Sequence, residues 1–429
     1  MKYVLIIPDG GADHALPQLS GKTAFEAARK PHIDALALQG RLGTASTTPA
    51  GMPCGSDICC MSVLGYDPKK YHKGRAPLEA AALGLDLSSK DWIFRVNLVT
   101  VIDGKMQDHS AGHISNEEGR QLLTDFAKGI DASGGLPGMT LYPGVSYRNI
   151  MVDSSGRDGV AAAIGMTGGR DWSELVTTPP HDVPGEPMRK HLPVGGEHAA
   201  LLQRMIAESE VIFANHEINQ TRRELGVNPA THVWPWGQGQ KPVVPLFKDR
   251  FGLRGAMITA VDLLAGISGF IGFDRLDVPG QTSYHDNDYA AAGRHAIAAL
   301  DHYDFVCVHI EAPDEASHAA DPKTKVAAIE AIDEHVVGPI MAALKAREAS
   351  GANAGAGSSD GYRVLLLPDH YTACATRKHD PTPVPFLLAG KGIKSVVPRT
   401  FTEKNANESD LHIKHGHELM EYFLFSGMS

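Results

Sequence analysis

Three aspartates and three histidines stand just past the ends of three short apolar runs. Tyr3 to Ile7 leads into Pro8-Asp9-Gly10-Gly11, and Phe305 to Ile310 is followed by Asp314 and, four residues on, His318. Arg363 to Leu367 leads into Pro368-Asp369-His370, with His379 shortly after. Each run is rich in Val, Ile and Leu and bounded by Pro or Gly, which reads as a buried strand. If the strands lie parallel in one sheet, their C-terminal ends open on one crevice, where open α/β sheets bind ligands. Carboxylates gathered there unpaired would be prohibitive; two divalent cations between them make a site. Asp314 and His318 face the same way on a helical turn, whereas the adjacent Asp369 and His370 serve two metals only if the chain bends. Imidazole mixed with carboxylate suits Mn, Zn or Fe, while Mg prefers oxygen alone. Taken singly, Asp314 is a helix cap and His318 and His379 are surface histidines. Their recurrence at three strand ends favours the metal centre.

A nucleophile stands beside these residues in sequence type. Pro53-Cys54-Gly55-Ser56-Asp57-Ile58 leaves a Gly-containing loop and enters an apolar segment. That places Ser56 at a helix N-terminus, where backbone N–H groups favour an anion such as a phosphoryl group. A divalent cation beside it would lower its hydroxyl pKa and make it a nucleophile. The competing reading is an ordinary N-cap, a position Ser favours. Cys54, Cys59 and Cys60 are rival nucleophiles, but Cys59 and Cys60 fall in the apolar run and read as core packing. Gly21-Lys22-Thr23 looks like the tail of a P-loop, but that motif needs Gly where Leu16 stands.

These residues must be positioned by more than one domain, since 429 residues exceed one ordinary core. Strand and helix alternate over residues 1–88, with a helix through Ala24–Gln39 and another at 76–85. From about 90 to 245 Pro and Gly become frequent, and amphipathic strands such as Ile93–Ile102 and Ser146–Asp153 occur. The βα texture then resumes with Ala256–Ile267, a helix Asp288–Leu300, the strand at 305–310 and a long helix Lys323–Arg347. Residues 351–361 read as a mobile Gly/Ala/Ser linker. Because the metal motifs lie at both ends, we expect one α/β domain built from 1–88 and 248–429, with 90–245 inserted as a smaller α+β domain.

Composition narrows the partners. A net charge of −10 and a pI near 6.1 argue against a nucleic-acid or anionic-membrane surface. No stretch approaches the apolar length of a bilayer span, and Met1 leads directly into a strand without a signal-peptide layout. Five cysteines, an odd set with no CxxC spacing, point away from disulfides or zinc–thiolate sites and toward a reducing cytoplasm.

The motifs together resemble a known set. Asp9-Gly10, Gly55-Ser56-Asp57, Asp314 with His318, Asp369-His370 and His379 resemble the metal and nucleophile residues of the alkaline phosphatase superfamily. Within it, Leu64–Pro68, Gly74–Ala80, Asn97–Thr100, Ser110–Ile114 and Gly144–Arg148 resemble, in order, segments of archaeal-type cofactor-independent (2,3-bisphosphoglycerate-independent) phosphoglycerate mutases. The likeness covers nearly the whole chain. It implies an alkaline-phosphatase-like sheet with helices on both faces, and Ser56 as a phosphorylated nucleophile. Asp9, Ser56, Asp369 and His370 would surround one metal and Asp314, His318 and His379 the other, with Mn²⁺ first among Mn²⁺, Mg²⁺, Zn²⁺ and Co²⁺. His113 and Arg148, and more weakly Arg75, match positions that hold a substrate's phosphate or carboxylate. The implied reaction moves a phosphoryl group from 3-phosphoglycerate to Ser56 and back to the 2-hydroxyl, while glycerate stays trapped between the domains. This chain departs from the family pattern at Cys54 and at Cys59-Cys60, where a small residue or Pro and then Ala-Asn are expected.

Three rivals share this pattern. A phosphohydrolase would use the same centre with an open cleft, and a homoserine-kinase-type phosphotransferase would use it with another acceptor. A non-catalytic binding protein on a decayed scaffold would be expected to have lost ligand positions, and all seven are intact.

Overall fold

The computed structural model describes residues 1–132, 134–350 and 361–427. Almost all of the linker expected at 351–361 thus lies outside the described residues. The chain divides into two compact units, Met1–His72 with Val244–Ser429, and Lys73–Val243. The first break comes ahead of residue 88. The helix Ala76–Ala82 is the reason: its Glu79 is ion-paired at 3.0 Å with Arg95 on the strand Trp92–Ile102, inside the second unit.

The first unit is organised on an eight-stranded sheet. Its order is His412–Ile413, Arg41–Ala45, Val384–Gly390, Tyr362–Leu366, Lys2–Pro8, Phe305–Ile310, Gly255–Ile258, Asp274–Arg275. Lys2–Pro8 is central, parallel to Phe305–Ile310 on one side and to Tyr362–Leu366 on the other. Every residue from Val4 to Ile7 and from Phe305 to Val308 is at most 1% exposed, which explains continuous apolar runs rather than alternation. Val384–Gly390 runs antiparallel to both its neighbours, so the sheet is mixed. The register pairs Ile6 with Leu366 and Pro8 with Ile310, and the three strands therefore stop at the same level.

Two helices depart from the expected pattern. Ala24–Gln39 is not continuous: Ala24–Ala27 ends with Ala28 extended, and a second helix begins at Pro31. Proline lacks the N–H that would continue the ladder and pushes the preceding residue out of helical geometry. Thr23 and Glu26 close a capping box on the first piece, which is the local role of the apparent P-loop tail. The long helix is Pro322–Ile332 and Gly338–Ala349 joined by a π turn at Asp333–Val337. Pro339 supplies no N–H to the ladder there. Asp333 is buried and accepts from His32 N and Ile33 N, capping the second helix of the broken pair.

The second unit carries a five-stranded sheet with the order Lys105–Asp108, Trp92–Ile102, Arg148–Asp153, Met139–Pro143, and with His232–Gln240 also paired to Trp92–Ile102. Its core sets Phe94 and Leu98 from the sheet against Leu122, Phe126, Met205 and Phe213 from the helices Asn116–Ala132 and Ala199–Ala214. The strand expected from Ser146 starts at Arg148, because Ser146 is left-handed at φ 57° and its N–H bonds Asn116 Oδ1. Among the described residues no helix is long and apolar enough to cross a membrane.

Candidate metal centre

Asp9, Asp314 and Asp369 meet where the three parallel strands end. Asp9 follows Pro8 directly, Asp314 lies in the helix Ala312–His318, and Asp369-His370 occupy a bend after Tyr362–Leu366. The bend is held by Asp369 Oδ1, which accepts from Gly10 N at 3.1 Å and from His370 N at 3.0 Å. Gly10 is required here: its φ is +57°, and a Cβ would fall 2.4 Å from Asp314 Oδ1. His379 sits on the hairpin Tyr371–Ala373 and Lys378–Asp380.

The histidine hydrogen bonds show which nitrogens are free. His318 Nδ1 faces Arg377 O at 3.0 Å and His379 Nδ1 faces Cys54 O at 3.2 Å. A carbonyl only accepts, so both Nδ1 atoms carry a proton and each ring turns Nε2 toward Asp314, able to donate to that carboxylate or, once deprotonated, to ligate a cation. Those Nε2 atoms are 3.0 Å apart, and they lie 3.1 and 3.6 Å from the oxygens of Asp314. For His370, Thr372 Oγ1 donates to Asp314 Oδ1 at 2.5 Å and so accepts from His370 Nδ1 at 3.1 Å. His370 Nε2 then carries the lone pair, 3.6 Å from Asp9 Oδ1 and 3.3 Å from Asp369 Oδ2. Three imidazoles anchored at Nδ1, with Nε2 turned toward carboxylates, are the arrangement that outer hydrogen bonds impose on metal-ligating histidines.

Two tight ligand groups that include histidine result, Asp314–His318–His379 and Asp9–Asp314–His370. Asp314 is common to both, whereas the resemblance assigned it to one metal only. Asp9 Oδ1 is buried with no hydrogen-bond partner, an orphaned acceptor of the kind a cation satisfies. Burial, then repulsion by Asp369 and Asp314, pushes the Asp9 carboxyl well above its ordinary value. Burial also opposes the charged form of Asp314, but hydrogen bonds from His318 and His379 outweigh it and hold that carboxyl well below. The residues fit a pair of divalent cations: oxygen and imidazole donors, a surplus of buried negative charge, and an unfilled acceptor.

Ser56 opens the helix Ser56–Val63 as its first residue. The N-cap is Gly55 and its end makes no side-chain cap bond, so the Ser56 hydroxyl is not employed as a cap. Its Oγ lies 3.3 Å from His370 Nε2 instead, partly exposed beside the ligand groups. Cys59 and Cys60 are 0% exposed, and Cys60 also points its thiol at Asp369 Oδ2.

The three candidate substrate residues all lie in the second unit. Arg75 immediately precedes the helix Ala76–Ala82, and the charges of Arg75 and Arg148 both act on the half-buried Glu79–Arg95 pair. Arg148 lies over Tyr147 at 4.8 Å, with the His113 ring 6.1 Å from the same tyrosine. His113 and Ala111 are both left-handed, in a loop tied down by Asp108, which accepts from Ser110 N and Gly112 N.

Several supporting residues escaped the sequence reading. His309 is the clearest: Nε2 bonds Asp9 Oδ2 at 2.7 Å and Nδ1 faces Thr259 Oγ1 at 3.1 Å. Burial lowers its pKa to about 4, so it is a neutral donor to Asp9. A polar residue inside the run Phe305–Ile310 was the available signal. Lys325 is another, wholly buried and bonded to Ala12 O, Asp13 Oδ2 and Thr372 O. Glu311 and Glu315 join Asp314 in a third group, made of carboxylates alone.

Known proteins repeat this chain from end to end. A protein from Methanothrix thermoacetophila, named 2,3-bisphosphoglycerate-independent phosphoglycerate mutase, is 42% identical over 99% of this chain and 100% of its own length. This chain belongs to the 2,3-bisphosphoglycerate-independent phosphoglycerate mutase family. The profile of that family matches residues 37–219. A Geobacter sulfurreducens member, named as a probable mutase, is 40% identical over 99% of this chain and 100% of its own. Among solved structures, a Pyrococcus horikoshii protein superposes with TM-score 0.78 at 27% identity, covering 99% of this chain and 96% of that one. The cofactor-independent phosphoglycerate mutase of Thermoplasma acidophilum shares the fold, with TM-score 0.65 at 23% identity and 99% coverage of each chain. The family carries the alkaline-phosphatase-like fold, and the mixed sheet with its flanking helices is that fold here.

Proposed function

We propose that this phosphoglycerate mutase family member interconverts 3-phosphoglycerate and 2-phosphoglycerate through a phosphoserine at Ser56. The observation that carries the reading is the Ser56 hydroxyl, uncommitted to capping and set at the edge of converging carboxylates and Nε2 atoms. The full-length relatives named as mutases give the reaction.

Asp9, Ser56, Asp369 and His370 would hold one divalent cation, and Asp314, His318 and His379 a second, with Mn²⁺ suiting the mixed donor set. Such ions, when bound, supply positive charge to the transferring group and favour ionisation of the serine hydroxyl. Ser56 Oγ attacks phosphorus in line. The bond from phosphorus to the 3-oxygen breaks, and the proton given up by Ser56 ends on that oxygen. The 2-hydroxyl of the same glycerate then attacks the phosphoserine, its proton returns to Ser56 Oγ, and 2-phosphoglycerate forms. Arg75, His113 and Arg148 would bind the carboxylate or phosphate, and keeping water out until the second transfer separates a mutase from a phosphatase.

A label in the substrate phosphate tests this. Rapid quenching should leave label on Ser56, and turnover should carry it to the 2-position undiluted by free phosphate. Label released mainly as inorganic phosphate would instead define a hydrolase. Ser56→Ala should keep the fold and lose transfer; retention of more than a small residue of activity would end the phosphoserine mechanism.

A further inference from the structure

We propose that Cys54 and Cys59 form a reversible disulfide across the turn that carries Ser56, making this turn a peroxide-responsive modification site. Gly55 is the N-cap of the helix Ser56–Val63, so Cys54 is the residue before the cap and Cys59 is the fourth residue of the helix. Those two positions come into contact at a helix start, and apolar residues there form the hydrophobic staple. Here the staple consists of two thiols. Both sulfurs lie 3.3 Å from Thr48 Oγ1, so one hydroxyl holds the two thiols on the same side of the turn. Cys54 is partly exposed and Cys59 is 0% exposed, so a small oxidant reaches Cys54 first and finds the resolving thiol already in place. Cys60 points at Asp369, while Cys307 and Cys374 are buried on other elements.

The chemistry balances with hydrogen peroxide as oxidant. The Cys54 sulfur attacks one peroxide oxygen and the O–O bond breaks, giving Cys54 sulfenic acid and water. The Cys59 sulfur then attacks the Cys54 sulfur, the S–O bond breaks, a second water leaves and the S–S bond forms. Two thiols and one peroxide become one disulfide and two waters; a dithiol reductant reverses it. A disulfide holds its sulfurs about 2.05 Å apart, closer than any two unbonded thiols in contact. Closing that gap draws the Cys54 backbone toward the helix. The Cys54 carbonyl is the acceptor that orients His379 through Nδ1. The bond therefore acts on a candidate metal ligand and on the serine between the two cysteines. Its effect on catalysis rests on the role given to Ser56, whereas its formation does not.

The test oxidises the full-length protein with hydrogen peroxide, alkylates the remaining thiols and maps the peptides without reduction. The expected result is a Cys54–Cys59 cross-link. It should be accompanied by a drop in Mn²⁺ affinity and in mutase activity of about tenfold or more, the scale seen when a group orienting a metal-binding histidine is disturbed. Dithiothreitol should restore both. Cys59→Ala should form no cross-link and should bind Mn²⁺ like the parent before and after peroxide. Pairing of Cys54 with another cysteine, or oxidation of Cys54 without pairing, would overturn the proposal. So would a complete cross-link that leaves Mn²⁺ affinity unchanged. An enzyme that cross-links and loses Mn²⁺ affinity yet never shows mutase activity would instead count against the proposed function.

Discussion

At the scale of single residues, the centre depends on which nitrogen or oxygen each side chain leaves free. Thr372 decides two of these at once, donating to Asp314 and accepting from His370. Thr372→Ala should therefore fold normally but bind divalent metal about 10–100-fold more weakly, since outer hydrogen bonds of ligating histidines carry effects of that size. Titration of metal-free protein with Mn²⁺ measures it; unchanged affinity would show that the hydroxyl is only packing. Glu403 offers a residue-level pH dependence away from the ligands. It accepts from Thr23 Oγ1 and Asp13 N, yet burial dominates and raises its pKa from 4.5 to about 7. The folded state then holds this proton more tightly than the unfolded chain. Its contribution to stability is greatest below the unfolded pKa and falls as pH rises through the window up to the folded one, by up to ~3 kcal/mol. Glu403→Gln should flatten that part of a Tm-against-pH curve, and a curve identical to the parent's would reject the assignment.

At the scale of elements, two loops carry most of the ligands and one buried lysine joins them. Lys325, on the helix Pro322–Ile332, bonds Ala12 O beyond the first strand and Thr372 O beyond the Tyr362–Leu366 strand, and pairs with Asp13. Lys325→Met would leave Asp13 buried without its cation, a defect that costs about 3–5 kcal/mol. Denaturant unfolding should show a loss of that size together with weaker metal binding. A stable variant with normal metal affinity would mean that the loops hold themselves. Asp333 does a similar job in the helical layer by capping the helix Pro31–Gln39 from the π turn. Asp333→Ala should lower stability by about 1–2 kcal/mol, in the range of lost helix caps, while leaving metal content unchanged.

At the scale of the whole molecule, the candidate ligands all belong to one of the two compact units. Ligands that bind only the folded state add stability, by about 2.7 kcal/mol at a hundred times Kd. Chelation should therefore lower Tm and abolish activity, and hydrogen exchange should locate the effect. Protection should fall around residues 9–13, 312–318 and 368–380, and persist along Trp92–Ile102 and Arg148–Asp153 in the other unit. Full activity after exhaustive chelation, or uniform loss of protection, would be incompatible with a metal centre confined to the first unit.

Much of this was legible in the residues themselves. Strands buried on both faces of a parallel sheet must be continuously apolar, so Tyr3–Ile7 and Phe305–Ile310 announced themselves, and ligands at their C-terminal ends followed from the geometry of such sheets. Helix interruptions were legible only in part: Pro31 and Pro339 were in plain view, but the cap that Asp333 places on the helix Pro31–Gln39 joins groups some 300 positions apart. The same holds for His309, Thr372 and Lys325. Their roles are hydrogen bonds to partners distant in sequence, and local pattern carries no record of such partners. The sequence determined which residue types were available and which elements would present them. Only the tertiary structure decided that Asp314 faces both histidine-containing groups, that the Ser56 hydroxyl is not spent on capping, and that two thiols flank it against one hydroxyl. Those are facts of side-chain direction, settled when the strands, helix starts and hairpin close on one another.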